Sequence, residues 1–270
     1  MNAVTRTRDR NCPICEASGE DAVPGPYSRA PWEIVTCPDC GFVYLRNAPE
    51  AVELEENLAW EKTFVGEEQR RTREQPLMQW LDTKMRWRLH LMPRTEGIDI
   101  LNAKAPSGPA LELGCGGGGH LMAFDARFQP HGIEISKALA AQAAALTEPR
   151  GGRVVHAAAL DGLAEFPDGY FTAVLMRSYL EHDADARGVV RALHAKMAPG
   201  GLAAVKVPNY GSLNRRVLGR KWCGFRWPDH VNYFDKPHLR RLAEDAGFSF
   251  RVPFLCGLPT DDNVLALFIR

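Results

Sequence analysis

The stretch that most limits what this chain can fold into is ALELGCGGGGHL, residues 110–121. A short apolar run, Leu111–Leu113, feeds directly into glycines at 114 and 116–119. Such a strand-to-turn junction uses glycine where the backbone must take positive φ or approach a ligand closely. Four consecutive glycines carry a large entropic cost on folding, which a ligand-free turn does not explain. Gly114, Gly116 and Gly119 fit the spacing G-x-G-x-x-G of a dinucleotide site, a pattern that is weak when it stands alone. Two acids narrow the ligand. Glu112, two residues before the first glycine, would repel a pyrophosphate but suits a ligand carrying an ammonium and a sulfonium. Glu134 lies 20 residues after Gly114, the distance at which a carboxylate accepts from ribose hydroxyls.

From residue 108 onward, short apolar runs alternate with amphipathic stretches, the signature of βαβ units. Strands are expected at Pro109–Leu113, Gly132–Ile135, Arg153–Ala158, Phe171–Met176, Leu202–Val207, Ser249–Leu255 and Asn263–Ile269. Helices are expected at His120–Arg127, Lys137–Leu146, Asp185–Met197 and Lys236–Ala246. The sum is an α/β fold with a seven-stranded, doubly wound Rossmann-like sheet. Residues 209–235, rich in Trp, Arg and Pro, resist the scheme and read as an insertion, a candidate acceptor lid. The 270 residues accommodate more than this sheet, with 33 basic and 33 acidic side chains. That balance disfavours nucleic acid or an anionic membrane as the dominant partner. No apolar stretch reaches the roughly 20 residues of a membrane span, and residues 1–10 lack a secretory pattern. The expected setting is the cytoplasm.

Several blocks of residues 108–208 occur in the order found in class I S-adenosylmethionine-dependent methyltransferases, which this part of the chain resembles. LELGCGGGG is similar to that family's first motif and GIEIS (residues 132–136) to its second. FPDGYF (166–171), YLEH (179–182) and KMAPGG (196–201) follow in turn. The resemblance implies S-adenosylmethionine as cofactor. It implies that Glu112 and the backbone of Gly114, Cys115, Gly116 and Gly118 approach the amino-acid end, that Glu134 holds the ribose and that Ile135 packs on the adenine. Met176 and Arg177 would close over the cofactor. The chain departs from the family in having Thr172 where an aspartate is usual, and in lacking the acid after the third strand, where Ala157–Ala159 stand and Asp161 is the nearest carboxylate.

Four of the seven cysteines form two pairs, Cys12-Pro-Ile-Cys15 and Cys37-Pro-Asp-Cys40, with 21 residues between them. Two such knuckles at this distance match a structural Zn²⁺ site of four thiolates. A segment of about 48 residues has little core of its own, and a structural zinc supplies on the order of 10 kcal/mol toward folding. Four thiolates close the coordination sphere, so the metal is expected to be structural. Cys115, Cys223 and Cys256 stand apart from it. This leader, and GRKWCGFRWPDHVNYFDKPHLRRLAEDAGF (219–248), resemble the zinc ribbon and C-terminal block of bacterial methyltransferases of natural-product and surface-glycan pathways. The expected organisation is a zinc ribbon over 1–48, a helical connector or cap over 49–107 and a methyltransferase domain over 108–270.

Methyl transfer from a sulfonium is an in-line displacement, and a general base helps when the acceptor is a hydroxyl. His182, just past the fourth strand at the carboxyl edge of the sheet, is the first candidate, with Glu181 placed to orient it. His230, among Trp222, Phe225, Trp227, Tyr233 and Phe234, is the second; these aromatics would form an acceptor pocket or the core of a lid. The remaining histidines read as structural. A helix is expected over Glu67–Met92, interrupted near Pro76, with Arg70, Arg71, Arg73, Arg86 and Arg88 interleaved with acids. Arg215, Arg216, Arg220 and Lys221 form a second basic patch, suited to an anionic acceptor. The leading expectation is O-methylation of a small-molecule or glycan-pathway acceptor. The alternatives are an RNA methyltransferase that holds substrate with its ribbon, a non-catalytic binding protein on the same fold and, more distantly, a dehydrogenase.

Overall fold

The computed structural model describes residues 7–49, 95–254 and 256–270. The helix expected over Glu67–Met92, with its arginines, lies outside the described residues. Near the N-terminus, β1 (Thr7–Asp9) pairs antiparallel with β4 (Asn47–Pro49), and β2 (Ile34–Thr36) with β3 (Val43–Leu45). These strands are three residues each, too short to bury a core alone.

The main sheet is built from β5 (Gly108–Leu113), β6 (Phe128–Glu134), β7 (Val154–His156), β8 (Phe171–Arg177), β9 (Met197–Pro208), β11 (Ser249–Arg251) and β12 (Asn263–Ile269), in the order β11-β12-β9-β8-β5-β6-β7. Five neighbouring strands, β7 to β9, are parallel; β12 runs antiparallel to β9, and β11 to β12. The strands are apolar on both faces because helices cover both. Ala110, Leu175 and Ala204 face one core with Ile100 and Leu101 of α1 (Gly97–Lys104). Leu111, Leu113, Val174 and Val205 face the other, with Val189, Val190 and Leu193 of α4 (Ala186–Lys196). The remaining sheet helices are α2 (Lys137–Thr147) and α3 (Ala159–Ala164). Strand order reverses between β5 and β8, which opens a crevice at their carboxyl ends, where ligands bind in such sheets.

Several elements differ from the sequence expectation, among them the strand expected at Ser249–Leu255, which ends at Arg251. The helix expected at His120–Arg127 is a single 3-10 turn, Leu121–Ala123, because the glycine run before it cannot nucleate a longer one. Helix α3 was not expected; it holds Gly162 internally, where a Cβ would meet Ile133 Cγ2 at 2.5 Å, so the glycine lets the helix lie against β6. β9 begins at Met197, earlier than expected, because Met197 pairs with Phe171 of β8, and Gly200 and Gly201 exchange backbone hydrogen bonds with Arg270 (2.8 and 3.1 Å).

Residues 209–235 hold the short α5 (Leu213–Leu218) and β10 (Asn232–Tyr233), and β10 pairs antiparallel with β3. The ribbon sheet is therefore β10-β3-β2, completed from the far end of the chain. Trp222, Phe225 and Tyr233 are buried with Ile34, Val43 and Leu45. These aromatics are the core of that junction, which decides against the acceptor-pocket alternative for them. Arg10 staples the same junction, donating to the carbonyls of Leu45 (2.8 Å), Ala184 (2.9 Å) and Val231 and to Asn232 Oδ1 (2.9 Å). Helix α6 (Lys236–Asp245) follows, with Asp235 as its N-cap. Among the described residues, no helix is long and apolar enough to cross a membrane.

Candidate active site and metal centre

The glycine turn sits at the carboxyl end of β5. Gly114 has φ +69°, and a Cβ there would press on Tyr179 Cδ2 at 2.9 Å; Tyr179 thus covers the turn. Gly116 has φ +52° and open space where a Cβ would stand, which is a cradle for a ligand approaching the backbone. Its N–H donates to Glu134 Oε2 (2.8 Å), and the N–H of Ser136 donates to Glu134 Oε1 (2.8 Å). Glu134 is thereby locked at the end of β6, with lone pairs left for a diol. Ile135, half-buried beside it, engages His156 Nε2 through its carbonyl (3.0 Å). Gly118 packs against Ala143 of α2. Cys115 lies 5% exposed under β6, and burial, with Glu112 and Glu134 nearby, pushes its thiol up; its side chain fills space rather than reacting.

Glu112 is 2% exposed. One of its oxygens faces His120 Nδ1 at 3.3 Å, and the other has no hydrogen-bond partner among the described residues. Burial raises its pKa, opposed by His120. A buried, half-satisfied carboxylate beside a glycine turn calls for a cationic ligand group. The adjoining cleft, about 210 Å³, is lined by Glu96, Gly97, Ile98, His120, Leu175, Arg177 and Lys206. Lys206 Nζ contacts both Glu96 oxygens (3.2 and 3.0 Å), with Arg177 Nε 3.9 Å from one of them. Strand alternation sends Leu175 and Arg177 to this cleft and Met176 into the opposite core, fully buried. The expectation that the Met176 side chain closes over the cofactor is corrected on that ground. His120, Glu96 and Lys206 were missed by sequence reasoning; no motif marks them, since three separate elements bring them together.

The proposed catalytic residues converge. Glu181 is 1% exposed, neither carboxylate oxygen meets a donor in good hydrogen-bond geometry among the described residues, and burial raises its pKa. His182 Nδ1 lies 2.9 Å from the Asp229 carbonyl and 3.2 Å from its Oδ1. Burial, the largest single influence, works against charge on His182, but the hydrogen bond to Asp229 and the charges of Asp229 and Glu181 together outweigh it and raise the imidazole's pKa. Burial alone would raise Asp229, yet His182 and Arg226 hold it at about 2. His230 Nδ1 donates to the Gly224 carbonyl (2.8 Å), and burial drives its pKa well down. The rings of His182 and His230 meet edge to face, centroids 4.7 Å apart. Asp229 was not singled out from sequence, although it directly precedes His230. In the second basic patch, Arg215 stacks on Tyr210 and Arg220 donates to the Pro26 carbonyl (2.8 Å), so both have structural partners.

In the ribbon, one sulfur from each of Cys12, Cys15, Cys37 and Cys40 lies within 4.8 Å of the other three. The closest approaches, Cys12 to Cys40 and Cys15 to Cys37, are both 3.5 Å. That spacing fits four thiolates around one tetrahedral ion with metal–sulfur bonds of about 2.3 Å. His238 links the cluster to α6, bridging Asp235 Oδ1 (2.6 Å) and the Cys40 carbonyl (2.9 Å).

Residues 85–251 match the family described as a methyltransferase domain. That span is more than half of the chain, and the chain belongs to this family. Its crevice and sheet are those of a class I S-adenosylmethionine-dependent methyltransferase, and that is the enzyme class of this protein. Solved structures share the fold. The YcgJ protein of Bacillus subtilis is 14% identical with a TM-score of 0.51, over 64% of this chain and 97% of that one. A SAM-dependent methyltransferase from Archaeoglobus fulgidus is 16% identical at 0.50, over 72% and 100%. An S-adenosylmethionine-dependent methyltransferase from Mesorhizobium loti is 19% identical at 0.50, over 64% and 96%. No curated protein matches this sequence.

Proposed function

We propose that this enzyme methylates an oxygen of a small-molecule or glycan-pathway acceptor, in the cytoplasm, with a structural zinc in its ribbon. The carrying observation is Glu112, a buried carboxylate with an unsatisfied oxygen beside the glycine turn. It suits the cationic amino-acid end of S-adenosylmethionine, while the open backbone at Gly116 and the doubly anchored Glu134 suit its ribose. Gly114, Cys115 and Gly118 would contribute backbone, Ile135 an apolar surface for the adenine and Arg177 a polar wall. Bound there, the cofactor supplies an electrophilic methyl group on a sulfonium.

The protein's own residues orient the acceptor and exclude water. Tyr179, lying over Gly114, joins the cofactor turn to Glu181 and His182 two and three residues on. Glu181, His182 and His230 form the corner that activates the acceptor's nucleophilic atom. Cys12, Cys15, Cys37 and Cys40 would hold Zn²⁺ with no open position, so the metal acts on folding and not on the reaction. Calorimetry of the full chain with S-adenosylmethionine tests the core of this reading; absence of binding rejects it. Methyl-labelled cofactor incubated with fractionated extract then reports the acceptor, and label found in RNA or in nitrogen-linked products rejects the acceptor assignment.

A further inference from the structure

The Glu181, His182 and His230 corner has more built into it than a proton acceptor needs. One ligand atom from each of the three lies within 4.8 Å of the other two. Both imidazoles are tied through the same nitrogen: His182 Nδ1 to the Asp229 carbonyl and carboxylate, His230 Nδ1 to the Gly224 carbonyl. A neutral ring that donates from Nδ1 keeps its lone pair on Nε2. Proteins present histidine to metal ions in this way, with a carboxylate or carbonyl fixing the tautomer from behind. Glu181 supplies the third donor. It is 1% exposed, and neither oxygen meets a donor in good hydrogen-bond geometry among the described residues, the Ser178 side chain being the neighbour that favours its charged form. Arg226 is paired with Asp229.

The backbone holds the three side chains in register. The N–H groups of Val231 and Asn232 both donate to the Glu181 carbonyl (2.7 and 3.1 Å), and that of His230 donates to the Arg226 carbonyl (2.7 Å). Asn232 Nδ2 adds bonds to the carbonyls of Leu180 and Asp183, both 2.7 Å. The turn after β8 and the segment before β10 are thus clamped around the donors.

We infer that Glu181, His182 and His230 form a second metal site, for one divalent first-row transition ion, separate from the four-thiolate site. Two imidazoles and a carboxylate are borderline donors that suit Zn²⁺, Mn²⁺, Fe²⁺ or Co²⁺, whereas Ca²⁺ and Mg²⁺ favour sets made wholly of oxygen. Three protein ligands leave a position open, as in catalytic and not structural sites. The consequence for catalysis rests on the function proposed above. An acceptor hydroxyl on the open position is polarised and releases its proton to solvent. Its oxygen lone pair then forms the new O–C bond, and the sulfonium sulfur keeps the electron pair of the broken S–C bond.

Co²⁺ substitution of the full-length protein separates the two sites, because thiolate-bound Co²⁺ gives charge-transfer bands that a nitrogen and oxygen site lacks. The expected result is two metal equivalents by elemental analysis, one with and one without the thiolate bands. Glu181→Gln and His230→Gln should each lose the thiolate-free equivalent and keep the other, with circular dichroism confirming the fold; His182→Gln replaces either variant that does not fold. A single, purely thiolate equivalent in the unaltered protein, or two equivalents retained in the variants, overturns the inference. S-adenosylmethionine calorimetry on the same samples keeps the two readings apart. Cofactor binding and methyl transfer with only the thiolate metal reject the second site alone. A second metal without cofactor binding rejects the proposed function alone.

Discussion

At the scale of single residues, two buried side chains show opposite uses of burial. Glu134 accepts from two backbone N–H groups, of Gly116 and Ser136, so its carboxylate also holds the glycine turn in place. Glu134→Ala is expected to weaken S-adenosylmethionine binding roughly tenfold, about 1.4 kcal/mol, and calorimetry measures it. His131 instead is structural. It is 4% exposed, accepts from Arg153 N at Nδ1 (3.1 Å) and lies 3.4 Å from the Tyr170 hydroxyl. Burial, helped by Arg153, lowers its pKa from 6.5 to about 4. The folded protein therefore keeps this ring neutral while the unfolded chain protonates it. Its contribution is fully present above pH 6.5 and is lost as pH falls toward 4. The loss is roughly 2 kcal/mol after allowance for residual solvent screening. Denaturant melts of His131→Gln should show a shallower decline than the unaltered protein between pH 7 and 4.5, and parallel curves would count against this assignment.

Elements depend on partners that are distant in sequence. Strand β10 is two residues long and exists because β3 offers it an edge and Arg10 caps the junction. Arg10 is half-buried, and desolvation lowers its pKa to about 10, leaving it charged at neutral pH. Arg10→Ala would strand the Ala184 carbonyl, while the Val231 carbonyl keeps the Leu45 N–H, at a cost of about 1–3 kcal/mol. Arg10→Lys should recover only part of that, because ammonium cannot reproduce the guanidinium fork; urea titration of the three proteins tests the order. The helices α2, α4 and α6 were legible as alanine-rich or amphipathic runs; the structure adds that Ser136, Asp185 and Asp235 cap them. Helix α3 was not legible. Its six residues include Gly162, which carries no helix signal and is explained only by the close approach of Ile133.

For the whole molecule, the ribbon and the sheet share one core: Cys12, Ile14, Phe42 and Tyr44 lie in the same buried cluster as Val189, Phe234 and Leu239. Arg187 of α4 adds a bond to the Ile14 carbonyl (2.6 Å). Metal removal should therefore be felt throughout. A strong chelator is expected to lower the melting temperature of the entire chain as one cooperative transition, seen by calorimetry. A separate low-temperature ribbon transition, with the main transition unmoved, would show that the two parts are independent.

By itself the sequence determined the short apolar runs of the strands, the glycine turn with Glu112 and Glu134 at its flanks, and two cysteine knuckles in a spacing that suits one ion. These are local signals, set by backbone conformation and ligand geometry over a few residues. Only the tertiary structure decided that Met176 turns away from the crevice, that Glu96, His120 and Lys206 line it, and that residues 209–235 build the ribbon's third strand. It also decided that Asp229 stands behind His182 and that His230 faces it. Each of those depends on which elements pack together, and burial and electrostatic coupling between distant segments leave no periodicity in the chain to read.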